Sequence, residues 1–413
     1  MIKVCDSIMG SGKSSAAITY MNEHPDSKFI YITPYLEEVK RIKESCPELH
    51  FAEPNAKIER YRFRKTIHTE ALINEGRNIV TTHSAFKRYT KEMLGRIEEH
   101  EYILIIDENV DVLDRLEADP FDLKLSMEAG YIEEKDGSYV STDKEYKGTA
   151  LKTELFDLVK SRELIKIKGS DNDFYYWVLP SDLLYSFKDV IVLTYMFQGQ
   201  SLYHFLKIHK LSYEYIGVEQ DEEGTYRFGK YPGYVPEYVK DLKNKIHILD
   251  NYRMNQIGKD RFALSISWFD KNDDGVKQLK NNISNCFNNI WRNESSANRL
   301  WGTYKSTFNK VKGKGYTKSH LNFNIKATNK YKNKNCLVYA VNIFMNVNEK
   351  LFYQRYGIEV NEDLYALSIM IQWIWRSAIR DGQDIYIYIP SKRMRTLLTD
   401  WIEITSKGGR YDG

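Results

Sequence analysis

Residues 7 to 14 read Ser7-Ile8-Met9-Gly10-Ser11-Gly12-Lys13-Ser14, almost at the first residue of the chain. An apolar start (Ile2, Val4) precedes them, and small residues suited to open a helix (Ser15, Ala16, Ala17) follow. A Gly-rich turn between strand and helix lets successive backbone N–H groups point at a polyphosphate. Lys13 adds a point charge for the terminal phosphates, and the Ser14 hydroxyl is a ligand for Mg²⁺. The general form of this motif carries Gly where the chain has Ser7. The match therefore rests on Gly10-Ser11-Gly12-Lys13-Ser14, with Ser15 completing the phosphate-side contacts at the helix start. These residues predict a bound nucleoside triphosphate.

Working outward, the next strands repeat one pattern. Lys28–Thr33 alternates into a strand that stops at Pro34, and a charged helix follows from Leu36 to Ser45. Asn78–Thr82 leads into His83. Tyr102–Ile106 is continuously apolar and ends in Asp107-Glu108, and Val190–Thr194 ends at Tyr195. Short, nearly all-apolar strands separated by helical stretches indicate a parallel sheet buried on both faces. Ligands of such sheets bind at the carboxyl ends of the strands, where Thr33, Thr82, Asp107, Glu108 and Thr194 all fall. At the tip of a strand expected beside the phosphate loop, Asp107 can hold Mg²⁺ and Glu108 can orient and deprotonate an attacking water.

Residues 116–180 do not fit this sheet and read as an insertion. They hold a hairpin pattern over Tyr131–Val140, a mixed helix near 149–161 and the aromatic run Phe174-Tyr175-Tyr176-Trp177. That run suits either base stacking or the core of a small subdomain. Residues 207–258 are charged and Gly-containing and read as a connector. New apolar segments then start at Phe262–Trp268 and recur at Leu300–Tyr304, Leu321–Asn324, Cys336–Val341 and Asp384–Ile389, predicting a second α/β unit over 259–413. The expected division is 1–206 for the first domain, the connector, and 259–413 for the second. In a helix expected from about Asp363 to Asp381, Gln372, Arg376 and Arg380 repeat every four residues and would share one face. Planar, permanently charged guanidinium groups suit the charge that develops on a γ-phosphate.

Composition bounds the rest. A chain of 413 residues accommodates two domains of ordinary size. A net charge of +3 means that any grip on nucleic acid must come from local clusters, such as the lysines from Lys305 to Lys332. Four cysteines without metal-ligand spacing point to a reducing compartment, the cytoplasm, and to no structural zinc. Charge and glycine near the N-terminus leave no signal-peptide core. The longest apolar runs fall short of the roughly 20 residues needed to cross a bilayer, so no membrane partner is expected. The 31 tyrosines fit codon usage in an AT-rich genome better than base stacking.

Four stretches taken in order resemble the superfamily 2 helicases, and more narrowly the DEAD/DEAH-like helicase ATPases of phages and prophages. They are Gly10–Ser14, Asp107-Glu108, Ala327-Thr328-Asn329-Lys330-Tyr331, and Gln372 through Arg380. The resemblance implies an α/β fold of two RecA-like domains in tandem, with ATP between them and single-stranded nucleic acid across both. It implies that Lys13 and Ser14 serve phosphate and Mg²⁺, that Asp107 and Glu108 serve metal and water, and that Gln372, Arg376 and Arg380 act on the nucleotide from the second domain. It also puts Thr33 and Pro34, Thr82 and His83, and Thr328 and Asn329 near nucleic-acid phosphates, and Thr194 at the coupling of hydrolysis to strand movement. The chain departs from the family in placing Arg380 eight residues after Gln372, not seven, and in following Glu108 with Asn109-Val110. The implied function is an ATP-dependent helicase or translocase on single-stranded or branched nucleic acid, with DNA expected. Replication or recombination proteins would be its partners and the host cytoplasm its place if it is phage-encoded. An ATP-switched binding protein that does not unwind, or another P-loop motor such as a DNA-packaging ATPase, stays open beside it.

Overall fold

The computed structural model describes residues 1–34, 36–59, 64–116, 120–135, 138–142, 144, 159, 163–168, 173–292, 295–323 and 330–411. They fall into two compact units. The first comprises Met1–Ser7, Gly12–Tyr234 and Asn346–Val360; the second comprises Ile8–Ser11, Val235–Met345 and Asn361–Gly413.

In the first unit the chain lays down β1 (Ile2–Asp6), β2 (Phe29–Thr33), β3 (Ile79–Thr82) and β4 (Ile103–Asp107). It then detours through β5 (Leu113–Arg115), β6 (Ile132–Lys135), β7 (Ser138–Ser141), β8 (Glu163–Lys168) and β9 (Asp173–Val178). It returns with β10 (Asp189–Thr194), β11 (Tyr213–Gln220) and β12 (Tyr226–Gly229). The main sheet has seven strands in the order β12-β11-β1-β10-β4-β2-β3. Every pairing in it is parallel except β11 with β12. β2 and β4 are buried along their whole length, as strands covered on both faces must be. The parallel strands bring the carboxyl ends Asp6, Thr33, Thr82, Asp107 and Thr194 to one edge of the sheet.

Two expectations change here. β10 lies between β1 and β4, so the Asp107 strand is next but one to the phosphate-loop strand, not beside it. The stretch read as a connector supplies β11 and β12 to this sheet. Their charged, half-exposed residues belong to a sheet edge, where only part of each strand is covered, and this hides the apolar run that marks a central strand.

The insertion forms its own five-stranded antiparallel sheet, β5-β9-β8-β7-β6. Leu123, Ile132, Tyr139, Val159, Leu164 and Trp177 make its core. The aromatic run is thus the packed alternative: Trp177 is buried in that core and Tyr176 is also buried. Most of the expected helix at 149–161 lies outside the described residues.

The second unit is built on the parallel sheet β13 (Ile246–Ile248), β16 (Ile385–Tyr388), β15 (Cys336–Tyr339) and β14 (Arg299–Gly302), in that spatial order. The expected strand at Phe262–Trp268 is instead a turn followed by the helix Ile266–Lys271. Its alternating apolar residues imitate a strand, but Leu264 has φ +64°, which no strand tolerates. Leu321 likewise begins no strand; its N–H bonds the Trp301 carbonyl at 2.9 Å. The mixed α/β architecture of two tandem parallel-sheet units agrees with the fold class expected from the sequence. No helix among the described residues is long and apolar enough to cross a membrane.

Candidate active site

β1 ends at Asp6, and the loop that follows turns at Gly10 (φ +81°) and Gly12 (φ +87°), left-handed conformations that glycine adopts without the penalty of a Cβ. Gly12 is the N-cap of the helix Lys13–Glu23. A Cβ at Gly12 would also lie 2.2 Å from the ring of Tyr226 on β12, so this close approach leaves room for glycine alone. Lys13 Nζ donates to the Ser7 carbonyl. Burial pulls the Lys13 pKa down, while Cys5, Glu108, Asp107 and Asp6 push it back up. The Lys13 ammonium is therefore held among acidic groups at the start of a helix, whose free N–H groups favour an anion.

Asp107, at the end of β4, accepts a hydrogen bond from Ser14 Oγ at 3.3 Å. Burial, then the neighbouring Glu108 and Glu38, raise its pKa to about 7; the Tyr31 phenol and Lys13 oppose the rise. A buried carboxylate this far from its ordinary range lacks a full countercharge. A hydroxyl and a carboxylate converging at a helix N-terminus are hard oxygen donors of the kind Mg²⁺ takes, so the residues fit that ion. Among the described residues no cluster of three or more His, Cys, Asp or Glu could hold a metal by itself.

Glu108 adopts φ +65°, an uncommon conformation for a residue with a side chain. Its N–H still donates 3.0 Å to the Leu193 carbonyl of β10, so the pairing reaches Glu108 before its left-handed backbone turns the chain away. The side chain stays partly exposed beside the buried Asp107. His83 is buried, and its Nε2 donates 2.9 Å to the Asp107 carbonyl, which ties the end of β3 to the end of β4. On the other side of Asp107, Thr194 Oγ1 donates to Gln200 Oε1 at 2.7 Å, and Gln200 Nε2 donates to the Tyr195 carbonyl at 2.7 Å. The Phe197 N–H donates to Asp6 Oδ2 at 3.2 Å.

Lys13, Ser14, Asp107 and Glu108 are thus gathered at one edge of the main sheet. Thr33 and Thr82 are register partners at the same edge: Thr33 is buried, and Thr82 and Pro34 are partly exposed. Thr328 and Asn329 lie outside the described residues. Tyr226 and Gln200 are additions that sequence reasoning missed. Gln200 carries no motif of its own, and Tyr226 sits in the segment read as a connector.

In the second unit the expected helix through Asp381 does not persist. It runs Glu362–Ile374, and a separate 3₁₀ turn covers Ala378–Asp381. Two contacts fix the break, one local and one tertiary: the Ser377 hydroxyl donates to the Ile374 carbonyl, and the Ala378 N–H donates 2.8 Å to the Lys334 carbonyl. Gln372, Arg376 and Arg380 therefore do not form one helical stripe. Arg376 is buried beyond the helix end and Arg380 is exposed on the 3₁₀ turn.

The carboxyl edge of the second sheet is tied together by Asn342, which is fully buried. Its Nδ2 donates to the Arg261 and Ala263 carbonyls at 2.8 and 2.9 Å, and its Oδ1 accepts from Arg393 Nη1 at 3.0 Å. Its backbone N–H donates to the Leu264 carbonyl at 3.0 Å, and its carbonyl accepts from the Tyr304 hydroxyl at 2.6 Å.

A protein-family model described as the YonV C-terminal Rossmann-like domain matches residues 240–402. The Bacillus subtilis (strain 168) "SPbeta prophage-derived uncharacterized protein YonV" is 41% identical over 415 residues, covering 97% of this chain and 98% of that protein. The chain belongs to the YonV family. The family's Rossmann-like region takes in β13 to β16, and also the helix Val347–Arg355, which falls in the first unit. Among solved structures, S. tokodaii Xpd4 is 12% identical with a TM-score of 0.48, over 97% of this chain and 93% of that one. A chain named XPD_APO is 11% identical with a TM-score of 0.48, over 97% and 95%.

Proposed function

We propose that this member of the YonV family hydrolyses ATP with Mg²⁺ and uses the cycle to act on nucleic acid as a helicase or translocase, with DNA the expected strand. The observation that carries the reading is the convergence of Lys13, Ser14, Asp107 and Glu108 at one edge of a parallel sheet. In this reading the loop N–H groups and Lys13 hold the β- and γ-phosphates, and Ser14 and Asp107 hold the metal. Mg²⁺, when bound, neutralises charge on the phosphate oxygens. Glu108, turned out of the strand by its left-handed backbone, orients the attacking water and takes its proton. Gln200, clamped to Thr194 on the intervening strand, would relay changes at the phosphate end to the loop after β10. Arg376 and Arg380 are proposed to act on the γ-phosphate, and Thr33, Thr82, Thr328 and Asn329 on nucleic-acid phosphates.

The test is steady-state ATP hydrolysis with and without single-stranded DNA, comparing the parent chain with Lys13→Ala and Arg376→Ala. Stimulation by DNA that both variants abolish is the expected result. Hydrolysis indifferent to every nucleic acid would sink the motor reading and favour another kind of P-loop enzyme. Nucleotide-dependent DNA binding without strand displacement would favour the switch.

A further inference from the structure

The Asn342 knot at the carboxyl edge of the second sheet holds a backbone conformation that local preference disfavours. Leu264 sits at φ +64°, and a branched side chain rarely adopts that region unless its surroundings impose it. Here the imposition is explicit. Three of the hydrogen bonds made by Asn342 go to carbonyls within Arg261–Leu264, while the others come from Tyr304, in the loop after β14, and Arg393, in the first turn of the helix Lys392–Ser406. One buried asparagine thus pins a four-residue turn to the loop after β14 and to the start of the helix Lys392–Ser406. Buried polar networks of this kind rigidify what they touch.

What the pinned turn presents is unusual for a surface. Phe262 is 61% exposed although the residues after it, Ala263 and Leu264, are buried. The Arg261 guanidinium, also exposed, lies 5.7 Å from the Phe262 ring centroid. The Phe262 ring also meets the Phe344 ring in a tilted contact, with centroids 5.4 Å apart, and Arg393 lies over Phe344 at 4.5 Å. The result is a cluster of two rings and two guanidinium groups in which Phe262 and Arg261 are open to solvent. An apolar partner would leave Arg261 without a counter-charge, and an acidic peptide would make little use of a flat ring. A strand of unpaired bases carries both complements, a π-face for the ring and a phosphate for the guanidinium.

We infer that Phe262 and Arg261 form a base-stacking and phosphate-binding step for single-stranded nucleic acid on the second unit, with Asn342 as its positioning residue. The inference rests on the nucleic-acid half of the proposed function and adds the contact point. Stacking on one aromatic ring is sequence-tolerant, so the site reads strandedness and not base order.

The test is fluorescence anisotropy of the full chain with labelled oligo-dT of about 20 nucleotides, long enough to span several contacts. Phe262→Ala should weaken binding on the order of tenfold and Phe262→Trp should restore it. Arg261→Ala should weaken binding and flatten its salt dependence by about one ion. Melting temperatures should match the parent, because both side chains are exposed. Unchanged affinity in Phe262→Ala would overturn the inference, as would a parent chain that binds duplex but not oligo-dT. DNA-independent ATP hydrolysis, measured on the same variants, reports the Lys13 site separately. Its retention alongside lost oligo-dT binding supports the assignment, whereas its absence in the parent would undo the ATPase reading and leave the binding result standing.

Discussion

Asp107 is the residue on which the site's electrostatics turn. Its folded pKa, about 7, lies well above the ordinary 3.8, because burial and then Glu108 and Glu38 disfavour its charge. The sign follows from linkage: the neutral form favours the fold, so this contribution is complete below about pH 4 and is lost as pH rises through about 7. At about 1.4 kcal/mol per unit, the rise of about three units sets an upper bound of about 4 kcal/mol. Asp107→Asn, which mimics the neutral acid, should therefore melt several degrees above the parent at pH 8 in metal- and nucleotide-free buffer, and level with it at pH 4. Equal melting at both pH values would mean that Asp107 is already compensated. The Lys13–Ser14 and Asp107-Glu108 pairs stood out as motifs, because the proposed phosphate and metal chemistry calls for those residue types at a helix start and after a strand end. Gln200 and Asn342 did not, since an amide that works by filling hydrogen bonds has no sequence signature until its partners are placed.

At the scale of elements, the turn from β1 into the Lys13–Glu23 helix depends on Gly12 for two separable reasons. Its φ of +87° costs any other residue about 1 kcal/mol, and the Tyr226 ring occupies the space of a Cβ. Gly12→Ala should lower stability by at least that amount and abolish binding of a fluorescent ATP analogue. Adding Tyr226→Ala should recover part of the stability, since the clash goes and the backbone strain stays. Full recovery would make Gly12 a packing residue only. The Glu362–Ile374 helix shows where periodicity misleads. Spacing of four put Gln372, Arg376 and Arg380 on one face, yet Ser377 and the Lys334 carbonyl end the helix before the arginines. The segment Phe262–Trp268 misled in the opposite direction, its alternation imitating a strand.

For the molecule as a whole, the chain returns late to its first unit. The helix Val347–Arg355 follows the strands of the second sheet through β15, yet packs in the first unit, where Tyr353 meets His204 with ring centroids 4.9 Å apart. His204 is buried, and burial followed by the charge of Lys207 lowers its pKa to about 4. A base with a lowered folded pKa contributes stability above the unfolded value of 6.5 and loses it as pH falls toward 4. His204→Phe keeps an aromatic partner for Tyr353 and cannot take up a proton. Chemical denaturation of this variant should show a weaker loss of stability between pH 6.5 and 4.5 than the parent shows. An identical pH profile would remove His204 as a source of acid sensitivity.

The sequence by itself pointed to the parallel-sheet class, to the strands β2, β3, β4 and β10, and to the Gly-rich loop and carboxylates proposed to serve phosphate and metal. Each of these is written in local terms: continuous apolar runs for strands buried on both faces, glycines for left-handed turns, and charged residues where strands end. Only the tertiary structure decided that β10 separates β1 from β4, that β11 and β12 extend the first sheet, and that residues 346–360 rejoin the first unit. Those outcomes depend on which surfaces meet after the chain collapses, and a half-covered edge strand or a returning helix carries too weak a local pattern to announce its neighbour. The same reason applies to Asn342, whose five hydrogen bonds join residues up to 81 positions apart.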